Sequence, residues 1–332
     1  MKLKALCATA VLALFGNVLV AQTKPYHHDL DVTSVNREAV RSSFMTFGTR
    51  DGAISGKYAD SEYYQLLNGV WKFYYVGYEK DLPAGLTDSN VDTSSWRDIK
   101  VPGNWELQGF GDAIYTNHKF DFATVNPQPP RMPEENPVGV YRRTVNIPQE
   151  WLSRDIYLHL AGAKSGVYVY VNGKEVGYSS DSKVDAEFLI NPYVKAGENS
   201  IAIKIHRYSV GSYLECQDFW RISGIERDVY VYSQPKVSIA DYRVISTLDN
   251  TYTNGIFNLA IDVKNSEAKA QKVGVAYQLL DAAGRVVRSG DAALSVGAGA
   301  KATAHFDANL PEVKTWSSEA PNLYKLVMSI SR

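Results

Sequence analysis

Cysteine is scarce: Cys7 and Cys216 are the only two in 332 residues. Cys7 sits inside an apolar N-terminal run, so removal of that run leaves one thiol and no internal disulfide, and packing alone must hold the fold. Net charge is as small, −1 at pH 7 from 35 basic and 36 acidic residues. No basic stripe is available to neutralise phosphates, which argues against nucleic acid as a partner. Beyond residue 20 there is no long hydrophobic run. The start, Met1-Lys2-Leu3-Lys4 followed by apolar residues 5–20 broken by Thr9 and Asn17, reads as a secretory signal peptide over residues 1–21 with a small residue, Ala21, near the cut. The run is too short and too poorly flanked to span a bilayer. The expectation is export to the periplasm or beyond, with no membrane anchor. Repeats and low-complexity tracts are missing as well, and no stretch keeps a long 3.6-residue period, which excludes a helical protein.

Strand signals fill the chain instead. Val167-Tyr168-Val169-Tyr170-Val171 alternates, Asn172-Gly173 follows, and Lys174-Glu175-Val176-Gly177-Tyr178 resumes. An Asn-Gly pair between two such runs marks a hairpin, because both turn residues need positive φ. Further strands read at 71–75, 138–147, 156–160, 200–205 and 228–232. After Gln234-Pro235 the rhythm changes to about six short, evenly spaced strands (239–247, 256–264, 273–280, 286–289, 301–306 and 323–330), with turns expected at Asn254-Gly255 and Ala283-Gly284. That spacing suits an immunoglobulin-like sandwich, which has about seven strands. The predicted organisation is all-β: an extended arm over 22–60 laid on the first domain, a jelly-roll, galactose-binding-like sandwich over 61–235, and an immunoglobulin-like sandwich over 236–332 that lacks its last strand. The 22 tyrosines and 6 tryptophans suit sugar platforms, but many of them must simply fill cores.

Two blocks keep neither period. The first holds Asn104-Trp105-Glu106-Leu107-Gln108-Gly109, Ile114-Tyr115-Thr116-Asn117, Asn126-Pro127 and Pro133-Glu134-Glu135-Asn136-Pro137. The second runs Arg207-Tyr208-Ser209-Val210-Gly211-Ser212-Tyr213-Leu214-Glu215-Cys216-Gln217-Asp218-Phe219-Trp220-Arg221 and on through Arg227-Asp228. Such stretches are loops held in one shape by a scaffold, and loops carry binding. With Leu67-Asn68-Gly69-Val70-Trp71-Lys72-Phe73, Val101-Pro102-Gly103, Asp181-Ser182, Glu187-Phe188, Trp316-Ser317 and Ala320-Pro321-Asn322-Leu323-Tyr324, they occur in the order found in the β-galactosidases of glycoside hydrolase family 2, which this chain resembles from about residue 35 to 332.

The resemblance implies a β-galactosidase that removes terminal non-reducing β-D-galactose with retention, through two glutamates on an (α/β)₈ barrel that would follow residue 332. The chain alone is then expected to be inactive, a wall of the galactose subsite whose partners are a β-galactoside and its own barrel, in a homo-oligomer when complete. The complete enzyme is expected to use magnesium and sodium. Asn117 corresponds to a family residue that reaches the galactose. By residue type alone it is an ordinary turn residue, although its amide offers the donors and acceptor a sugar hydroxyl needs. Val210 stands where members carry an aspartate on galactose and sodium. Valine has no side-chain oxygen, so no metal ligand is expected there, and Ser209 and Ser212 are weak substitutes as sugar contacts. Glu215, Asp218, Trp220, Arg221 and Arg227 read as loop-shaping, the acids paired with the nearby arginines or accepting backbone N–H bonds. Cys216 reads as a buried inert thiol, His206 as partnerless on its strand, and His27-His28 as solvated. Two other readings stay open: a stand-alone exported carbohydrate-binding module, and a β-glucuronidase or β-mannosidase of the same family.

Overall fold

The computed structural model describes residues 24–332 apart from 217 and 219; the signal-peptide reading lies outside the described residues. Among them the longest helix is Arg50–Ser55, in the arm, and no helix is long and apolar enough to cross a membrane. The first sandwich packs a seven-stranded antiparallel sheet against a four-stranded one. The larger sheet runs in the order Ser34–Val35, Lys174–Ser179, Gly166–Val171, Gly197–His206, Val138–Ile147, Gly69–Val76, Arg97–Val101. The smaller runs Ala186–Leu189, Asp155–Leu160, Val229–Gln234, Tyr64–Leu66. Alternation along each strand sends one set of side chains between the sheets: Trp71, Phe73, Tyr141, Val169, Val171, Ile201, Ile203 and Ile205 meet Ile156, Leu158, Phe188, Val229 and Val231 in one cluster. The Asn172-Gly173 turn has φ of 50° and 79°, as its residue types require.

The second sandwich has six strands in two antiparallel sheets of three, with a separate core around Phe257, Ile261, Val275, Tyr277 and Val296. One expected turn is displaced. Asn254-Gly255 does not form the reversal; Asp249 does, its carboxylate accepting the backbone N–H groups of Thr251, Thr253 and Asn254, and Tyr252 takes the left-handed φ of 58°.

The arm does more than lie on the first sandwich. Its Ser34–Val35 segment adds the edge strand beside Lys174–Ser179. Arg41 enters the smaller sheet, the backbone of Ser42 donates to Asp241 at 2.9 Å, and Arg50 reaches Gln278 at 2.9 Å. The arm therefore straddles both domains, which Asp155 also links through Lys236, Lys264 and Ser266. Gly177 is what lets the arm strand in: a Cβ there would lie 2.2 Å from the Val35 carbonyl and 2.9 Å from the Phe188 ring. Gly177→Ala is expected to cost roughly 1–3 kcal/mol in overpacking and to increase limited proteolysis between residues 30 and 45 about tenfold; cleavage at the wild-type rate would rule this close approach out.

Candidate functional site

The two aperiodic blocks fold onto each other. Gly103–Asn104 pairs with Gly224–Ile225, which pairs in turn with Ala163–Lys164, so the entry of one block and the exit of the other share a small sheet. Gly224, at φ 118°, passes where a Cβ would meet the Gly103 carbonyl at 2.8 Å and the Trp105 ring at 3.0 Å. Trp105 is fully buried; its backbone N–H donates to Ser223 O at 3.0 Å, its indole N–H to the Tyr141 hydroxyl, and its ring packs on Phe73 and Tyr75. Above it, Ile114 bridges Arg221, whose backbone N–H donates to Ile114 O at 2.8 Å and whose Nη2 donates to His118 O at 2.9 Å.

Buried charges complete the frame. Arg207 donates to Arg221 O at 2.8 Å and Asp112 O at 3.2 Å, and lies 3.4 Å from Glu106 Oε1. Glu106 accepts the Ser223 N–H at 2.9 Å, and burial pushes its carboxyl above the ordinary glutamate value. Asp121 accepts the Tyr208 hydroxyl at 2.7 Å and lies 3.7 Å from Arg221, while the Asn136 amide holds Tyr208 N and O at 2.9 and 3.0 Å. Glu106, Asp121, Asn136 and Arg207 thus hold the blocks together, a role their sequence positions did not disclose because each has a partner in the other block.

What the frame leaves outside is aromatic and amide. Tyr115 and Trp220 are 65% and 55% exposed with ring centroids 5.1 Å apart. Asn117 and Asp218 are exposed on the same loops. Flat faces beside an amide are the chemistry that takes a sugar ring and its hydroxyls.

Residues 64–235 match the sugar binding domain of glycosyl hydrolases family 2, and residues 237–332 match a second domain of glycosyl hydrolases family 2. The chain belongs to glycosyl hydrolases family 2. It is 35% identical over 308 residues to a beta-galactosidase of Priestia megaterium, covering 92% of this chain and 30% of that protein. Against a beta-galactosidase of Psychromonas ingrahamii the identity is 38%, covering 90% and 29%. In fold it superposes on Bacteroides uniformis beta-glucuronidase 2 with a TM-score of 0.65 at 21% identity, over 80% of this chain and 30% of that one. The chain therefore spans about 30% of the length of the curated relatives it matches.

In this family 2 chain the remaining site residues fall as follows. Val210 is 5% exposed in the turn Val210–Tyr213, so it presents a buried aliphatic side chain with no side-chain oxygen for a cation. Ser209 and Ser212 lie inside: Ser165 Oγ donates to Ser209 Oγ at 2.7 Å and lies 3.2 Å from Ser212 Oγ, and Ser212 Oγ also accepts the Ser209 N–H at 3.0 Å. Of the two loop-shaping modes open to Glu215, an arginine pair or a backbone N–H, the structure shows the second. The two Glu215 oxygens accept the Ser182 N–H and hydroxyl at 2.7 and 2.5 Å, and burial raises the carboxyl. Arg227 is exposed and caps the carbonyls of Ala161 and Lys183. Cys216 is half-buried beside Arg221 and Glu215, its thiol pushed up by burial, the opposite of what a nucleophile needs.

The histidines correct the sequence reading most. His27 is 1% exposed, and His206 is fully buried with a partner: both Nε2 atoms face Glu79, each 3.2 Å from a different carboxylate oxygen.

Proposed function

We propose that this chain is the non-catalytic, sugar-side portion of a retaining β-galactosidase, exported from the cell, and that it presents Asn117 and the Tyr115–Trp220 pair to a β-galactoside at a site shared with a catalytic barrel. The choice of galactoside rests on 35–38% identity to proteins named beta-galactosidase along nine-tenths of the chain; the beta-glucuronidase likeness, at 21% identity, concerns fold alone. The non-catalytic role is supported by how the three sheltered acids of the loop blocks are engaged. Retaining hydrolysis needs two carboxylates about 5 Å apart across the glycosidic bond, one protonating and one attacking. Glu106, Asp121 and Glu215 are instead each tied to backbone or hydroxyl donors that fix the loops. Where the complete enzyme holds magnesium or sodium, the Val210 side chain offers neither ion an oxygen.

The purified chain is expected to show no turnover of aryl β-galactosides; turnover that disappears in Glu215→Gln would overturn this reading. Free galactose should bind too weakly to measure, because half a subsite forfeits most contacts and still meets the entropic cost of association. Reading the coding DNA beyond codon 332 tests the larger claim. A continuing frame that encodes a barrel with two glutamates supports it, and a stop codon there favours a carbohydrate-binding module.

A further inference from the structure

We propose that His27, Glu79 and His206 form a binding site for one divalent transition-metal ion of the zinc class, which staples the N-terminal arm to the first sandwich. The three residues come from separate places: the turn Tyr26–His28 of the arm, the turn Glu79–Asp81, and the end of strand Gly197–His206. One donor atom from each lies within 4.8 Å of the other two. Two imidazole nitrogens and a carboxylate are the ligand set of many three-ligand zinc sites, with bonds of about 2.0–2.2 Å and a water in the fourth position. Such bonds put tetrahedral donors about 3.3–3.5 Å apart, and each Nε2 already stands 3.2 Å from a Glu79 oxygen.

The surroundings suit an ion. The imidazoles are 1% and 0% exposed while Glu79 is 39% exposed, so the carboxylate is the ligand that meets solvent. Tyr168 Oη lies 2.9 Å from His27 Nδ1 and can accept the proton that Nδ1 carries when Nε2 binds metal, the second-shell bond that orients a ligating histidine. His206 Nδ1 makes no hydrogen bond, so moving its proton there breaks none. The rings are stacked, centroids 3.8 Å apart and planes within 18°, with both Nε2 atoms at the Glu79 carboxylate. Convergence on one ion requires the His27 ring to swing toward Glu79.

Chelator-stripped chain titrated with zinc chloride by calorimetry should bind one equivalent. Cobalt(II) in its place should give the strong visible absorption of a tetrahedral site. Glu79→Gln and His27→Ala, each checked for wild-type circular dichroism, should weaken that equivalent by about 100-fold or more. Saturating zinc should raise the melting temperature of the wild type but not of Glu79→Gln, and slow proteolysis within residues 24–45. Absence of a stoichiometric site in the folded wild type, or equal affinity in the variants, would show that the histidines and Glu79 form a hydrogen-bonded latch without metal, and the proposal would fail.

Discussion

Trp105→Ala is expected to lower the urea midpoint of the first sandwich by about 2 M. Trp105 is fully buried among Phe73, Tyr75 and Tyr141, under the small sheet that joins the two loop blocks. Truncating a core tryptophan to alanine costs about 3–5 kcal/mol, and the Tyr141 hydroxyl, itself fully buried, loses the indole that donates to it, which adds about 1 kcal/mol or more. The void cannot close easily. Gly139 and Gly224 already bring backbone against the ring: a Cβ on Gly139 would stand 2.6 Å from Trp105, and one on Gly224 3.0 Å. With a slope of about 2 kcal/mol per molar urea, a loss of at least about 4 kcal/mol gives the stated shift. Tryptophan fluorescence reports it selectively, because every tryptophan but Trp316 lies in this sandwich. Hydrogen exchange along Gly255–Asn265 should stay unchanged, since the second domain has its own core. A shift below about 0.5 M would mean that Trp105 is not the support of these loops.

The same residue shows what sequence could and could not disclose. Alternation over Val167–Val171 and the Asn172-Gly173 turn were legible because their causes are local: side chains on opposite faces of one strand, and two residues that accept positive φ. The second sandwich was legible for the same reason, down to its six strands. Asn104-Trp105 and Arg221 could be singled out by composition, yet their pairing across Ser223 and Ile114 joins segments whose contact only the fold creates. Glu215 illustrates the limit. Spacing leaves it a choice between Arg221, six residues away, and a backbone donor, and only the fold names that donor: Ser182, 33 residues upstream. His27 reads as solvated because it sits in the arm just after the expected cleavage site; it is buried by Tyr168, 141 residues on, and by His206. The arm was hardest of all. A two-residue strand carries no period, and its docking depends on Gly177 having no side chain.

Lowering the pH from 4.5 to 2 should remove about 3 kcal/mol of stability from the first sandwich through one residue, Glu187. Its side chain is 7% exposed, where the arm meets the smaller sheet. Burial alone would raise its carboxyl, but His159 and Arg41 outweigh it: His159 Nδ1 lies 2.8 Å from Oε1, Arg41 donates to both oxygens at 2.8 and 3.0 Å, and the carboxyl falls from the ordinary 4.5 to about 2. The Tyr232 hydroxyl adds a donor at 2.9 Å, and Asp185 faces the far nitrogen of His159 at 3.6 Å. Because the folded value lies below the unfolded one, the contribution is complete above about pH 4.5 and is lost as pH falls through about 2; the gap of roughly 2.5 units corresponds to about 3 kcal/mol. Other carboxylates titrate over the same range, so the quantity to measure is the difference between wild type and Glu187→Gln in urea midpoints across that range. At pH 7 the variant should be less stable by about 3–5 kcal/mol, since it leaves Arg41 buried without its counter-charge. The difference should shrink steadily between pH 4.5 and 2, and loss of the carboxylate should also free the arm, exposing residues 30–45 to protease at pH 7. A gap between the two proteins that stays constant down to pH 2 would show that Glu187 is not held ionised by the arm.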